Sequence, residues 1–253
     1  MENTKEEQYR QLIQDVKASY PEYKEVELHS PKDLFWYKNC KEINLWSYWQ
    51  CSLDAEILLV GQDWGNPWDG TCEDLLEKIR CNGTGPISEY IAGSKNPTDL
   101  ALIRLFDSIG YDINSPHDKL FFTNFVLGYR TGKISGGFQR KWAEHDSVFF
   151  PRLVEIIKPK VILCLGKSTY QAVMKAMGQK LPKGVARYNT FLESSYNPRG
   201  ITLSNGQVAY IFALAHCGSF GTMNRNCGSA ISASNRLELQ KRDWARIKAI
   251  IQK

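Results

Sequence analysis

The sequence predicts an α/β protein, a three-layer α/β/α sandwich around a central four-stranded, mostly parallel sheet. Three observations predict it. Four short apolar runs, at positions 56–60, 119–126, 161–165 and 208–215, have the length and composition of buried strands. Between them lie stretches whose apolar residues recur at helical spacing. Strand and helix alternate along the chain, which implies parallel strands joined by crossovers, with helices on both faces. The chain has 253 residues, 43% of them hydrophobic, and seven Trp, which suits one domain with a sizeable core. All of 1–253 therefore reads as a single domain, with an N-terminal helical extension up to about residue 50.

Taken in order, positions 3–19 predict an amphipathic helix with Leu12, Ile13 and Val16 on one face. Pro21 and Pro31 bound a loop. An aromatic segment follows (Phe35, Trp36, Tyr37, Trp46, Tyr48, Trp49), whose natural role is packing against the sheet. The first strand, Glu56 to Val60, is broken by Gly61, and a polar turn places Gln62 and Asp63 just past its end. Positions 71–93 read as a loop with a short helix. Asn96-Pro97 is a helix start, with Asn96 as N-cap, and Leu100, Ile103, Leu105, Phe106 and Ile109 line that helix until Gly110. The second strand ends in Phe122-Thr123-Asn124-Phe125-Val126, and positions 129–137 read as a loop. A helix over 139–158 is expected to bend or split at Pro151. The third strand, Val161 to Leu165, closes at Gly166 and leads into a helix over 167–177. Positions 179–207 read as loop with a short edge strand near 188–192. The fourth strand delivers His216 to its carboxyl end, a loop follows, and a last helix spans about 235–251.

Composition narrows the function classes. The formal charge of +5 permits a polyanionic partner without requiring one. The seven Cys are an odd set without a C-x-x-C pair, which argues against a disulfide framework, a zinc ribbon or an iron–sulfur cluster built on paired ligands. The charged opening residues predict no signal peptide, and no apolar run is long enough for a membrane span. The expectation is a reduced, cytoplasmic or nucleic-acid-associated monomer with no metal or cofactor.

Three polar residues lie at or just past three strand ends: Asp63, Asn124 and His216. Alone, each reads equally as a turn or structural residue. In a parallel sheet all three come to one rim, the carboxyl edge where open α/β sheets bind ligands.

With Cys164-Leu165-Gly166-Lys167-Ser168-Thr169-Tyr170-Gln171-Ala172-Val173 added, these blocks resemble the uracil-DNA glycosylase superfamily over roughly residues 50–250. Gly61-Gln62-Asp63 is similar to the motif that supplies the water-activating acid. Thr123-Asn124 is similar to the strand-end Asn that reads the pyrimidine edge, and His216 with Ser219 to the last motif, usually His-Pro-Ser. Two departures stand in the sequence. Trp64 follows the acid where the family usually has Pro, and Cys217-Gly218 replaces the single Pro before Ser219.

The resemblance implies a DNA glycosylase that flips a uracil-like pyrimidine out of DNA and hydrolyses its N-glycosidic bond. Asp63 and His216 would be catalytic, the acid orienting water and the imidazole stabilising the departing base. Gln62, Gly65, Asn124, Trp68, Phe125 and Ser219 would line the base site, with Trp68 or Phe125 stacking on the base. Gly65 stands where the uracil-specific branch has a bulky Tyr that excludes C5 substituents, so this gate is expected to be open. Arg130, Lys133, Lys167 and Arg225, with Arg140 and Lys141, would contact phosphates, and Phe220 or Met223 would wedge into the duplex. The two departures keep open an alternative, a non-catalytic module of the same fold that binds nucleic acid or a modified base. A nucleotide hydrolase is disfavoured, because no phosphate-cradling Gly-rich loop or Mg²⁺-binding carboxylate cluster is visible.

Overall fold

A computed structural model describes residues 3–21, 34–35, 52–63, 97–113, 119–130, 139–181, 192, 198–227, 229–230 and 235–252. In chain order its helices are α1 (Lys5–Ser19), α2 (Pro97–Ser108), α3 (Arg140–Asp146), α4 (Phe150–Ile157), α5 (Lys167–Ala176), α6 (Ser219–Asn226) and α7 (Glu238–Ile251). Its strands are β1 (Leu34–Phe35), β2 (Ile57–Gly61), β3 (Leu120–Asn124), β4 (Tyr129–Arg130), β5 (Val161–Leu165), β6 (Arg199–Thr202) and β7 (Val208–Leu214). The main sheet runs β3-β2-β5-β7-β6. The first four of these are mutually parallel, while β6 runs antiparallel to β7 along one edge.

The sheet therefore has five strands rather than four. The fifth lies at 199–202, whereas the edge strand expected near 188–192 falls, but for Leu192, outside the described residues. Its one buried residue is Ile201, so it carries no apolar run to betray it. A second correction concerns positions 129–130, expected in a loop. They form β4, paired antiparallel with β1.

Because successive strand residues face opposite ways, each strand feeds two cores. Leu58, Val60, Phe121, Ile162, Cys164, Ile211 and Ala213 join a core with α1, α3, α4 and α5. Ile57, Leu59, Leu120, Val161, Leu163, Phe212 and Leu214 join the opposite core with α2 and α7. These are the three layers. Helix α1 supplies Tyr9, Leu12, Ile13 and Val16 to the first core.

The expected helix over 139–158 is split in two, and Pro151 stands in the first turn of α4, where its missing N–H matters least. Gly166 turns β5 into α5 with φ at 99°, a conformation that only glycine adopts without strain.

One buried polar knot fastens the first core. Asp146, fully buried, accepts hydrogen bonds from the Tyr20 hydroxyl (2.5 Å), the Leu127 N–H (2.7 Å) and His145 Nδ1 (2.7 Å). His145 Nε2 faces the Ser19 carbonyl at 3.2 Å. Both partners of this ring accept, so the protonated imidazole, which donates from both nitrogens, satisfies both. The Asp146 hydrogen bond accordingly holds the His145 pKa above its ordinary value. Among the described residues, no helix is long and apolar enough to cross a membrane.

Candidate functional site

Four parallel strands present their carboxyl ends on one rim. Along it come Asn124 (β3), Gly61 to Asp63 (β2), Gly166 and Lys167 (β5), then Ala215 and His216 (β7). Adjacent strands lie about 4.8 Å apart, so β3 and β7, three places apart in the sheet, set Asn124 and His216 roughly 14 Å apart along the rim, with Asp63 at the end of β2 between them. The β3–β2 pairing continues past the strands, since the Phe125 N–H donates to Gly61 O at 2.9 Å and the Val126 N–H to Gln62 O at 3.0 Å. This holds the Gln62–Asp63 turn rigidly against the Asn124 segment.

Gly61 and Asn124 are register partners. A Cβ on Gly61 would lie 2.0 Å from Asn124 Oδ1 and 3.2 Å from its Cγ. The amide of Asn124, only 5% exposed, lies over the bare Cα of Gly61. Gly61 thus does more than end a strand: it clears the place where the Asn124 amide rests. Beside it, Gln62 Nε2 donates to Asp63 Oδ2 at 2.8 Å, fixing the carboxylate at the strand end.

His216 follows β7 through Ala215. The Gly218 N–H lies 3.0 Å from His216 Nδ1 and can only donate, so Nδ1 holds a lone pair and the ring proton of the neutral form is on Nε2. Burial lowers the His216 pKa below its ordinary value, and the Asp63 charge partly opposes that shift. At pH 7 the imidazole is therefore neutral, with a defined donor nitrogen.

The segment after His216 is helix α6, not the expected loop. Ser219 opens it, and Phe220 (79% exposed) and Met223 (60%) project from it one turn apart. Lys167 opens α5 on the same rim, immediately after Gly166. Arg130 lies on strand β4. Exposed Arg140, in the first turn of α3, pairs with Glu144 at 2.8 Å.

Two expected contact residues are corrected. Phe125 is 1% exposed and packs in the first core against Phe150, ring centroids 5.2 Å apart, so it presents no face to a base. Arg225 is 4% exposed and makes a bidentate pair with Asp243 of α7, at 2.7 and 3.0 Å, so its guanidinium cannot serve a phosphate. Trp64, Gly65, Trp68 and Lys133 lie outside the described residues.

Sequence reasoning missed Gln240, Thr222 and Asp243, buried polar residues that tie α6 and the end of β7 to α7. The available signal was phase. Gln240 and Asp243 fall on the stripe of Leu237, Trp244, Ile247 and Ile251, where a polar residue must have a partner. Among the described residues, no cluster of three or more His, Cys, Asp or Glu is placed to hold a metal.

No family model matches this chain, and no curated protein matches it.

Proposed function

We propose that the protein is a DNA glycosylase that hydrolyses the N-glycosidic bond of uracil or a related pyrimidine in DNA. The observation that carries this reading is His216: a neutral imidazole at a strand end, its proton placed on Nε2 by a main-chain donor. It shares its rim with a carboxylate and a buried amide. Few chemistries use that set better. A leaving pyrimidine needs a neutral donor for its developing negative charge, and a preorganised one is worth far more than a mobile one.

In this mechanism the base leaves the stack and its edge meets Asn124, whose amide offers both a donor and an acceptor. The bond between C1′ and the base nitrogen breaks, and its electron pair departs with the base. His216 Nε2–H stabilises the resulting anion at a base oxygen. Asp63, held by Gln62, favours the cationic sugar and orients a water. The water oxygen adds to C1′ and loses one of its protons to solvent, the base anion takes up a proton from solvent, and free base and an abasic site remain. Phe220 and Met223, a pair of large apolar side chains exposed on α6 beside His216, suit insertion into the vacated stack. Lys167 is placed for a phosphate at the same rim.

The test is direct. Purified protein is incubated with single- and double-stranded oligonucleotides, each carrying one uracil, 5-hydroxymethyluracil or mismatched thymine, and alkali-labile sites are counted. Wild type is expected to produce them, Asp63→Asn to lose most turnover while still binding, and His216→Ala to slow release by roughly 10²- to 10³-fold. With Gly65 in place of a bulky gate, C5-substituted bases are expected to be released as well as uracil. Binding without any abasic product from wild type would establish the non-catalytic alternative instead.

A further inference from the structure

We propose that Gln240, on the last helix, is a positioning residue that sets the orientation and tautomer of His216 from beneath. The inference rests on the glycosylase reading of the site and deepens it. The Gln240 side chain is fully buried. Its Nε2 lies 3.2 Å from the His216 carbonyl and 3.4 Å from that of Ala215. Carbonyls only accept, so the amino group must face β7 and Oε1 must face the other way. There Oε1 accepts the Thr222 hydroxyl at 3.0 Å.

From Thr222 the chain of bonds returns to the imidazole. The Thr222 N–H donates to Gly218 O at 3.0 Å, and the Gly218 N–H donates to His216 Nδ1 at 3.0 Å. One carboxamide thus reaches both ends of the His216–Gly218 corner: the His216 carbonyl directly, and, through Thr222, the residue Gly218 whose own N–H fixes the tautomer. Close packing completes the arrangement. A Cβ on Gly221 would stand 2.1 Å from the His216 carbonyl oxygen, so α6 rests against the same atom that Gln240 grips. One turn along both helices, the Arg225–Asp243 pair locks α6 and α7 in register.

The prediction is tested by ¹⁵N NMR of the His216 ring in the full-length protein, titrated against pH, for wild type, Gln240→Met, Thr222→Val and Thr222→Ser. Wild type is expected to show the Nε2–H tautomer. Gln240→Met and Thr222→Val should lose its dominance and show a pKa moved up toward that of ordinary histidine, because the donor to Nδ1 is no longer held. Thr222→Ser, which keeps the hydroxyl, should restore the wild-type signature. Base release per folded molecule should fall by on the order of 10-fold in Gln240→Met with little change in oligonucleotide affinity, as expected for a misaligned group. If Gln240→Met does not fold, Thr222→Val carries the test. Wild-type tautomer and pKa in the folded variants, with only the melting temperature lowered, would overturn the proposal. Failure of the glycosylase reading is separate: wild type would then release no base, while the NMR comparison would still decide the role of Gln240.

Discussion

Replacing Gly61 with Ala puts a methyl group where Asn124 Oδ1 now lies. The added Cβ would be 2.0 Å from that oxygen, 3.2 Å from Cγ and 3.8 Å from the Phe122 ring. Non-bonded contact needs about 3.5 Å, so the amide oxygen must retreat by roughly 1–1.5 Å. Asn124 is 5% exposed, and its backbone is pinned by the ladder to β2, so the side chain must rotate into packed surroundings. Overpacking of this kind costs about 1–3 kcal/mol. In a chain of this size each kcal/mol is about 2–4 °C in Tm. The functional loss should be larger than the structural one. An amide moved by about 1 Å cannot pair both atoms with a pyrimidine edge, and a misplacement of that size costs on the order of 10²-fold in rate. Single-turnover release from a uracil oligonucleotide and thermal melting, measured on the same preparation, give both quantities. A double-mutant cycle with Asn124→Ala isolates the cause, since removing the amide removes the clash. Gly61→Ala should then cost almost nothing further in stability. The reasoning fails if Gly61→Ala melts and turns over like wild type, or if its penalty is the same with and without the Asn124 amide.

Three further outcomes are expected. Arg225→Met strands Asp243, whose side chain is only 7% exposed, and should cost about 3–5 kcal/mol, measured by urea unfolding, while Arg225→Met with Asp243→Leu recovers most of it. A phosphate-binding Arg225 would instead lose salt-dependent DNA affinity at unchanged stability. The His145 pKa is raised in the folded protein by Asp146, so its stabilisation is fully present below about pH 6.5, the unfolded value, and is lost as pH rises through the folded pKa. Urea midpoints of wild type should therefore fall toward those of His145→Gln as pH increases across that window, and a constant gap would count against the doubly protonated ring. Phe220→Ala should leave the melting temperature unchanged, since the ring is 79% exposed, and should slow base release from duplex by on the order of 10-fold while sparing single strands, where no base pair must be opened.

Legibility in the sequence followed the size of the hydrophobic signal. Strand β5 is a fully apolar run bounded by Lys160 and Gly166, and the expected and observed limits coincide at Val161–Leu165. Strand β2 is displaced by a single residue, because its ladder runs on through Gly61. Strand β6 shows only Ile201 to the core, and β1 with β4 are two residues each, too short for any periodicity to register. Helix α6 was hidden for another reason. Its sequence, with Gly221 inside and few strong helix formers, has little intrinsic propensity, and it is held by Thr222–Gln240 and Arg225–Asp243, contacts made across 18 positions. Phe125 was misread because an aromatic ring beside the site Asn suggests stacking. Its parity with Phe121, four residues earlier on β3 and in the same core, was the contrary signal.

The two points at which the sequence departs from the motifs it resembles bear differently on the proposed chemistry. Trp64 lies outside the described residues, whereas the change after His216 can be followed atom by atom. The bond that fixes the imidazole comes from the main-chain N–H of Gly218, and every residue but Pro supplies one. Cys217, 3% exposed, fills a buried position in the second core and has no part in that bond. Replacing a Pro-Ser step by Cys-Gly-Ser therefore leaves the means of orienting the imidazole in place. What the segment does demand is absence of a side chain at Gly221, where a Cβ would fall 2.1 Å from the His216 carbonyl oxygen; at Gly218 a Cβ would press on His216 Nδ1 at 3.0 Å. Strand ends bring Asp63, Asn124 and His216 to one rim, and that much follows from an alternating chain. Their orientation is set by neighbours whose contribution is an N–H, a missing Cβ or a buried amide, none of which announces itself as chemistry in a sequence.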